Sequence, residues 1–329
     1  MQDDSIFFMA LIEEQYAAQN IRLRSLSPYN FDWRGIYRVE SSNNISWVLR
    51  AFRQDGSENS LLSPAAMHLF LEKQGYPAPR VVWTRSGKPV GTANGWWTLM
   101  TTFVEGTQAD YSLESLRALG SITAQLHRLH FDEAMSMTLP VQASWKHSQV
   151  AVPECLRLLA QARDGLPAEL QIFYDQVSAT LEHMQQATNL PVTLMHGDCW
   201  PGNAVQTSDG SIVLIDWDGA GYGPPVLDIG SLLLTCHFDQ PQFPQITPDP
   251  ALISAIVEGY CQQRLLTHAE LEMLVEAVRF NSAFHFARNL QSILQGNWRE
   301  NIGLQKLQIR YDVAEEIAVI ARRRCEQLL

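Results

Sequence analysis

Residues 194–225 read LMHGDCWPGNAVQTSDGSIVLIDWDGAGYGPP, and the turn inside this stretch decides how the rest is arranged. Asp209-Gly210 stands between two apolar runs. That is a strong signal for a two-residue hairpin, because glycine takes positive φ freely and aspartate tolerates it. With those two residues at the tip, Ser208 faces Ser211, and the register carried outward sets Asn203 opposite Asp216. Directly opposed residues share a face, with Cβ atoms about 4.5–5.5 Å apart. An amide oxygen and a carboxylate at that separation can share one hard cation such as Mg²⁺. Strand alternation turns Asp218 to the same side as Asp216. Asp198 precedes Asn203 in a tight segment containing Pro201 and Gly202. Phosphoryl transfer needs a carboxylate so held, to orient an attacking hydroxyl and take its proton while the metal neutralises phosphate charge.

Working outward, the first hundred residues read as strands with one helical stretch. Gly35–Val39 and Ser46–Arg50 are β-type runs around the polar turn Ser41–Asn44. Ser63 is placed as an N-cap, with Pro64 at the first helical position, for a helix through Lys73. Val81–Trp83 and Trp96–Met100 suggest two further strands. After Gly106 the pattern becomes helical: Leu113, Leu116, Leu119, Ile122, Leu126 and Leu129 recur at helix spacing, and residues 151–189, 251–265, 268–295 and 305–328 follow suit. One β island, Val192–Asp218, interrupts them and carries the unusual residues. The expectation is an α+β chain in two lobes, a β-rich lobe over 1–103 and a mostly helical lobe over 104–329.

Composition narrows the function. With 329 residues, a net charge of −11 and 46% hydrophobic residues, the chain reads as an ordinary globular protein without the basic surface of a nucleic-acid binder. Five scattered cysteines without CxxC spacing fit a reducing compartment, and argue for neither a disulfide framework nor a zinc site. The opening MQDDSIFFMALIEEQY has acidic flanks and too few apolar residues for a leader or a membrane span. A cytoplasmic protein without nucleic-acid or membrane partners is expected; the oligomeric state is not legible. The acidic balance tilts slightly to a cationic acceptor, with Glu258, Glu270, Glu272 and Glu276 in the C-terminal helices. The basic run Arg322-Arg323-Arg324 reads as a solvated face.

His196-Gly197-Asp198 with Asn203, followed by Ile215-Asp216-Trp217-Asp218, resembles the aminoglycoside phosphotransferase and choline kinase superfamily, which has a protein-kinase-like fold. The Asp-to-Asn spacing also matches the catalytic loop of protein kinases. The resemblance implies Asp198 as catalytic base, Asn203 and Asp216 as Mg²⁺ ligands, and ATP or GTP as co-substrate, with His196 and Asp218 as accessory groups. Met100–Gly106 looks like the family's hinge, so Thr101, Phe103 and Val104 would meet the adenine. Gly75–Pro79 and Gln125-Leu126-His127 resemble further family segments, and Asp228 looks like its structural aspartate, capping the helix Ile229–Cys236. The family's phosphate-holding lysine is replaced by Arg50, which can supply charge and bidentate donors. Its bracing carboxylate is missing near Pro64, with Glu58 the nearest upstream. The phosphate-covering loop, about Ser27–Arg34, has no glycine.

Taken singly, Asp198, Asn203 and Asp216 are ordinary turn residues; together and in register they favour chemistry. His196 reads as a loop-fixing residue, His127, His130 and His285 as packed or surface groups, and Trp83, Trp96 and Trp97 as core or sheet surface. Cys199 has no second ligand pair beside it. In the run from Gly219 the third glycine of a dinucleotide loop would fall at Pro224, and there is no GxxxxGK[ST]. The expected activity is Mg²⁺-dependent transfer of a nucleotide γ-phosphoryl to a small-molecule hydroxyl, with aminoglycosides, amino alcohols, homoserine and sugars as candidates. A protein Ser/Thr kinase of the same superfamily and a nucleotide-binding pseudokinase are the alternatives.

Overall fold

The computed structural model describes residues 4–26, 34–53, 61–131, 141–144, 146–187, 189–238, 247–292 and 302–328. The chain is α+β, and its contacts divide it into two compact units: Met1–Glu105 with Ser136–Gln142, and Gly106–Met135 with Ala143–Leu329. The sequence-predicted phosphate-covering residues 27–33 and Glu58 lie outside the described residues.

In the first unit, β1 (Ile21–Ser25), β2 (Arg34–Ser41), β3 (Ser46–Arg53), β4 (Gly91–Ala93) and β5 (Trp96–Thr102) form an antiparallel sheet in the order β1-β2-β3-β5-β4. Helix α1 (Asp4–Gln15) covers one face: Phe8, Leu11 and Ile12 pack with Val39, Leu49, Ala51 and Met100. Helix α2 (Leu62–Lys73) belongs to the other, where Leu61 and Ala65 meet Val81, Val90 and Leu99. Among the described residues the unit therefore has two helices rather than the one expected. The N-terminal residues, tested in the sequence only as a leader, bury an i, i+3, i+4 set instead. Ser63 is not an N-cap. It lies inside the first turn of α2, and its hydroxyl accepts from the Gln142 backbone N–H at 3.0 Å. Val81–Trp83 makes no strand beyond a single bridge to Thr101, because Thr84 at once turns the chain back through Lys88.

In the second unit the helices are α3 (Leu113–His127), α4 (Ser148–Ala162), α5 (Gln171–Gln186), α6 (Val226–Phe238), α7 (Pro250–Cys261), α8 (His268–Glu272), α9 (Leu274–Ser292), α10 (Ile302–Asp312) and α11 (Ala314–Gln327). Ser112 caps α3 by accepting from Ser115 N–H at 3.2 Å. The single helical stretch expected over 151–189 is two helices, broken around Gly165 and Pro167. The strands here are β6 (Thr107–Gln108), β7 (Thr193–Met195), β8 (Ala204–Gln206), β9 (Ile212–Leu214) and β10 (Gly221–Gly223), in sheets β6-β8-β9 and β7-β10. The β island therefore draws in two strands from outside Val192–Asp218.

Helices α3 and α7 cross with almost no space between them. A Cβ on Gly120 would run into the carbonyl of Ile256, and one on Gly259 into that of Arg117. Glycine within a helix normally costs about 0.5–1 kcal/mol relative to alanine. Here Gly259→Ala is expected to act in the opposite sense and destabilise by about 1–3 kcal/mol through overpacking. A urea midpoint that falls at unchanged m-value would confirm it; an unchanged or higher midpoint would contradict the close crossing.

Candidate active site

The hairpin that carries the site is one residue out of the expected register. Ala204 pairs with Leu214, Val205 with Val213 and Gln206 with Ile212. Thr207 and Ser211 close a three-residue loop, Ser208–Gly210, in which Gly210 takes φ +83°. Such a loop combines a turn with a left-handed residue. The polar flanks explain the choice: Asp209 Oδ1 accepts from Ser211 N–H (3.1 Å) and Ser211 Oγ (2.8 Å), which draws Ser211 into the turn. Asn203 consequently stands opposite Ile215, whose N–H donates to the Asn203 carbonyl at 2.9 Å, and not opposite Asp216.

A one-residue slip would send Asp216 to the far face if the strand continued. It does not continue. β9 ends at Leu214, and Asp216 adopts the left-handed conformation, φ 60° and ψ 65°. Aspartate is one of the few residues that occupy this region without a large penalty. The strand-alternation argument for Asp218 also lapses, since Asp218 lies in the 3₁₀ turn Trp217–Gly219.

Asp198 and Asn203 are in direct contact. The Asn203 Nδ2 group donates to the Asp198 carboxylate Oδ2 at 2.7 Å and to its backbone carbonyl at 3.0 Å. The other carboxylate oxygen, Oδ1, lies 3.5 Å from Lys146 Nζ. Lys146 was not singled out in the sequence, and no motif there could have found it.

The loop bearing Asp198 is shaped by Asp228, which is buried in the first turn of α6. Its carboxylate accepts from the backbone N–H of His196 (2.6 Å) and Gly197 (2.9 Å), and His127 Nε2 stands 3.3 Å away. So it braces the loop that bears Asp198 rather than capping its own helix as expected. Burial by itself would push the Asp228 carboxyl upward. The His127 hydrogen bond, the neighbouring imidazole charges and the His196 N–H together hold it below its ordinary value. Behind His127 the chain of bonds continues. Tyr260 hydroxyl meets His127 Nδ1 at 2.9 Å, Arg264 Nη1 donates to Tyr260 at 2.9 Å, and the fully buried Glu270 pairs with Arg264 at 3.0 Å.

His196 fixes the loop from its other side. Its Nε2 donates to the Ile215 carbonyl at 2.9 Å, and its ring packs edge-on against Trp217 with centroids 4.7 Å apart. Gly197 holds φ +78°, and a Cβ there would meet Gly219 carbonyl and Ser144 Oγ. Cys199 is buried against Thr123 Oγ1, and desolvation drives its thiol upward, away from nucleophilic chemistry.

In the first unit, Arg50 is 7% exposed on β3. The register sets Val48 opposite Thr101 and Arg50 opposite Leu99, so Arg50 and Thr101 share one face of the sheet. The buried Thr101 hydroxyl oxygen has no hydrogen-bond partner among the described residues. Phe103 lies under the Arg38 guanidinium, 4.0 Å from its ring centroid, and Val104 is half-buried beside it.

The acidic residues that tilted the sequence reading toward a cationic acceptor are already paired. Glu258 binds Arg117 (2.8 Å) and Arg324 (2.7 Å), Glu270 binds Arg264, Glu272 meets His268 (3.1 Å), and Glu276 meets His183 (2.8 Å). The basic run is likewise engaged rather than simply solvated: Arg324 holds Glu258, and Arg322 donates to the Leu271 carbonyl.

A kinase-like phosphotransferase fold is what these elements define. The chain superimposes on amicoumacin kinase, solved in complex with AMP-PNP, Ca²⁺ and Ami, with a TM-score of 0.68 over 97% of this chain and 94% of that one at 17% identity. Residues 25–273 match the phosphotransferase enzyme family, and the chain belongs to it. Among curated proteins it is 28% identical over 229 residues to a probable ketoamine kinase of Staphylococcus aureus, covering 63% of this chain and 73% of that one. It is also 28% identical over 243 residues to a homoserine kinase of Beijerinckia indica, covering 73% of this chain and 72% of the relative. It is thus an enzyme of the small-molecule kinase class. Among the described residues no helix is long and apolar enough to cross a membrane.

Proposed function

We propose that the chain transfers the γ-phosphoryl group of ATP or GTP to a hydroxyl of a small-molecule acceptor, with Asp198 as the base. The observation that carries this reading is the clamp on Asp198. One carboxylate oxygen is fixed by Asn203 at 2.7 Å, while the side chain as a whole remains 42% exposed. A carboxylate oriented from behind and open in front is suited to accept a hydroxyl proton.

Asn203 and Asp216 are the residues proposed to hold Mg²⁺. The amide nitrogen of Asn203 is committed to Asp198, so its Oδ1 is the atom available to a cation. No group of three or more His, Cys, Asp or Glu gathers to hold a metal among the described residues. That suits an ion bound through one carboxylate, waters and substrate phosphates rather than an all-protein cage. Bound there, Mg²⁺ would neutralise phosphate charge. Arg50 is proposed to hold phosphates, and Thr101, Phe103 and Val104 to meet the base, which assigns the nucleotide to the β-rich unit. The unpartnered Thr101 hydroxyl supports a polar ligand at that position. Relatives named for ketoamine and homoserine substrates support a small hydroxylated acceptor, and the reducing-compartment composition supports a cytoplasmic site of action.

The test is Mg²⁺-dependent transfer of γ-labelled ATP and GTP phosphate to pooled amino alcohols, hydroxy amino acids, sugars, ketoamines and aminoglycosides, with wild type and Asp216→Asn side by side. Asparagine tolerates the left-handed backbone, so the variant removes charge without breaking the turn. Label in one pool with wild type alone is the expected result. Nucleotide binding without transfer to any pool, and transfer to a protein substrate instead, would each overturn the small-molecule reading.

A further inference from the structure

The second unit holds a buried cation beside Asp198 that the Asp198–Asn203–Asp216 set does not use. Lys146 is 3% exposed in its side chain, and its Nζ lies 3.5 Å from Asp198 Oδ1. Burying an ammonium is expensive, so its position is informative. Here the ammonium is sequestered while the carboxylate is 42% exposed, so the pair is open to an approaching group on the Asp198 side.

The backbone around Lys146 is built to hold it there. Ala143 bridges in parallel to Tyr222, and Ser144 N–H donates to the Tyr222 carbonyl at 3.0 Å. Ser144 Oγ donates to the Gly219 carbonyl at 2.8 Å and accepts from Lys146 N–H at 3.4 Å. His147 N–H returns to the Ser144 carbonyl at 2.8 Å. Gly197, in the loop of Asp198, leaves no room for a Cβ against Ser144 Oγ and Gly219 carbonyl. The segment is therefore fastened to the strand that follows Asp216 and pressed against the loop that carries Asp198.

Other charges act on the same region. His285 on α9 is pushed down to about 4, first by burial and then by the charge of Lys146, with Arg310 and Arg288 acting the same way and Asp198 opposing them.

We infer that Lys146 is a further catalytic residue, one that holds Asp198 before reaction and donates to the phosphoryl group in transit; this rests on the transfer reading proposed above. In that step the acceptor oxygen forms a bond to the γ-phosphorus as the bond to the bridging oxygen of the nucleoside diphosphate breaks. The hydroxyl proton passes to Asp198. An acceptor hydrogen-bonded to Asp198 Oδ1 brings the phosphoryl oxygens within about one hydrogen-bond length of Nζ, where fixed charge acts on the transition state. An ammonium offers three rotatable donors on a flexible stem, so it can follow the group as it moves.

The test compares wild type with Lys146→Met, which keeps the buried stem and removes the charge, and with Lys146→Gln. Results are read on whichever variant melts within about 3 °C of wild type. Three quantities are measured: acceptor-dependent kcat, acceptor KM, and nucleotide hydrolysis without acceptor. The expected result is a loss of about 10²–10³-fold in both kcat and hydrolysis, with acceptor KM and nucleotide affinity little changed. Lys146→Arg, which restores a positive charge, is expected to regain part of the hydrolysis. Transfer retained within a few-fold of wild type would overturn the proposal, as would a defect confined to acceptor KM. Wild type inactive toward every acceptor pool would instead strike the transfer reading itself.

Discussion

Asp198→Asn is expected to lower kcat by about 10²–10⁴-fold, the usual worth of a positioned proton acceptor. Asparagine is nearly isosteric, and its side-chain oxygen can still accept from Asn203 Nδ2, which now donates to Asp198 at 2.7 Å. The loop itself is fixed through His196 and Gly197 rather than through the Asp198 side chain. Geometry should therefore survive while basicity is lost. Nucleotide affinity, measured by titration calorimetry with Mg²⁺ present, is expected to change by no more than a few-fold. A variant that keeps wild-type kcat would remove Asp198 from the role of base, whatever the loop motif resembles.

Asp228→Ala is expected to cost about 3–5 kcal/mol of stability, because it strips a buried charge from donors that have no water to turn to. Two backbone N–H groups and His127 converge on this one carboxylate. Asp228→Asn is no milder remedy: an amide presents one acceptor and one donor where three donors converge. The sign of the pH dependence follows from the depressed carboxyl. A group whose folded value lies below its unfolded value of about 3.9 adds stability above that value and loses it as pH falls through the folded one. Wild type should therefore show an acid-side loss of Tm that the alanine variant lacks, from a Tm already several degrees lower. Hydrogen exchange at His196 and Gly197 should accelerate together in the variant. Unchanged exchange would show that the loop stands without Asp228.

The amino-acid sequence made the fold class and the family legible, and the places where it misread the site are instructive. Asp198, Asn203 and Asp216 lie close together along the chain, so local turn chemistry was enough to group them. The register that Asp209-Gly210 alone implies is off by one residue, because Thr207 and Ser211 also join the turn through side-chain hydrogen bonds. The face of Asp216 is set by a left-handed backbone rather than by pairing. Helical periodicity located the C-terminal helices but not their breaks at Met273 and Val313, where the apolar pattern runs on across the interruption. Lys146, Tyr260 and Arg264 were invisible for a different reason. Each reaches the site through tertiary contact alone, from segments with no local signature. The acidic helices misled because a count of charges says nothing about partners, and Arg117, Arg264 and Arg324 supply them.

The dependence of one loop on Asp228 also orders events during synthesis. His196 and Gly197 leave the ribosome ahead of the aspartate that shapes them, by 32 and 31 residues, and Tyr260 follows later still. A nascent chain halted between these points carries the loop sequence without the contacts that shape it. The shape arrives only when α6 emerges and docks against residues already made, so the loop takes its form after that helix rather than before it.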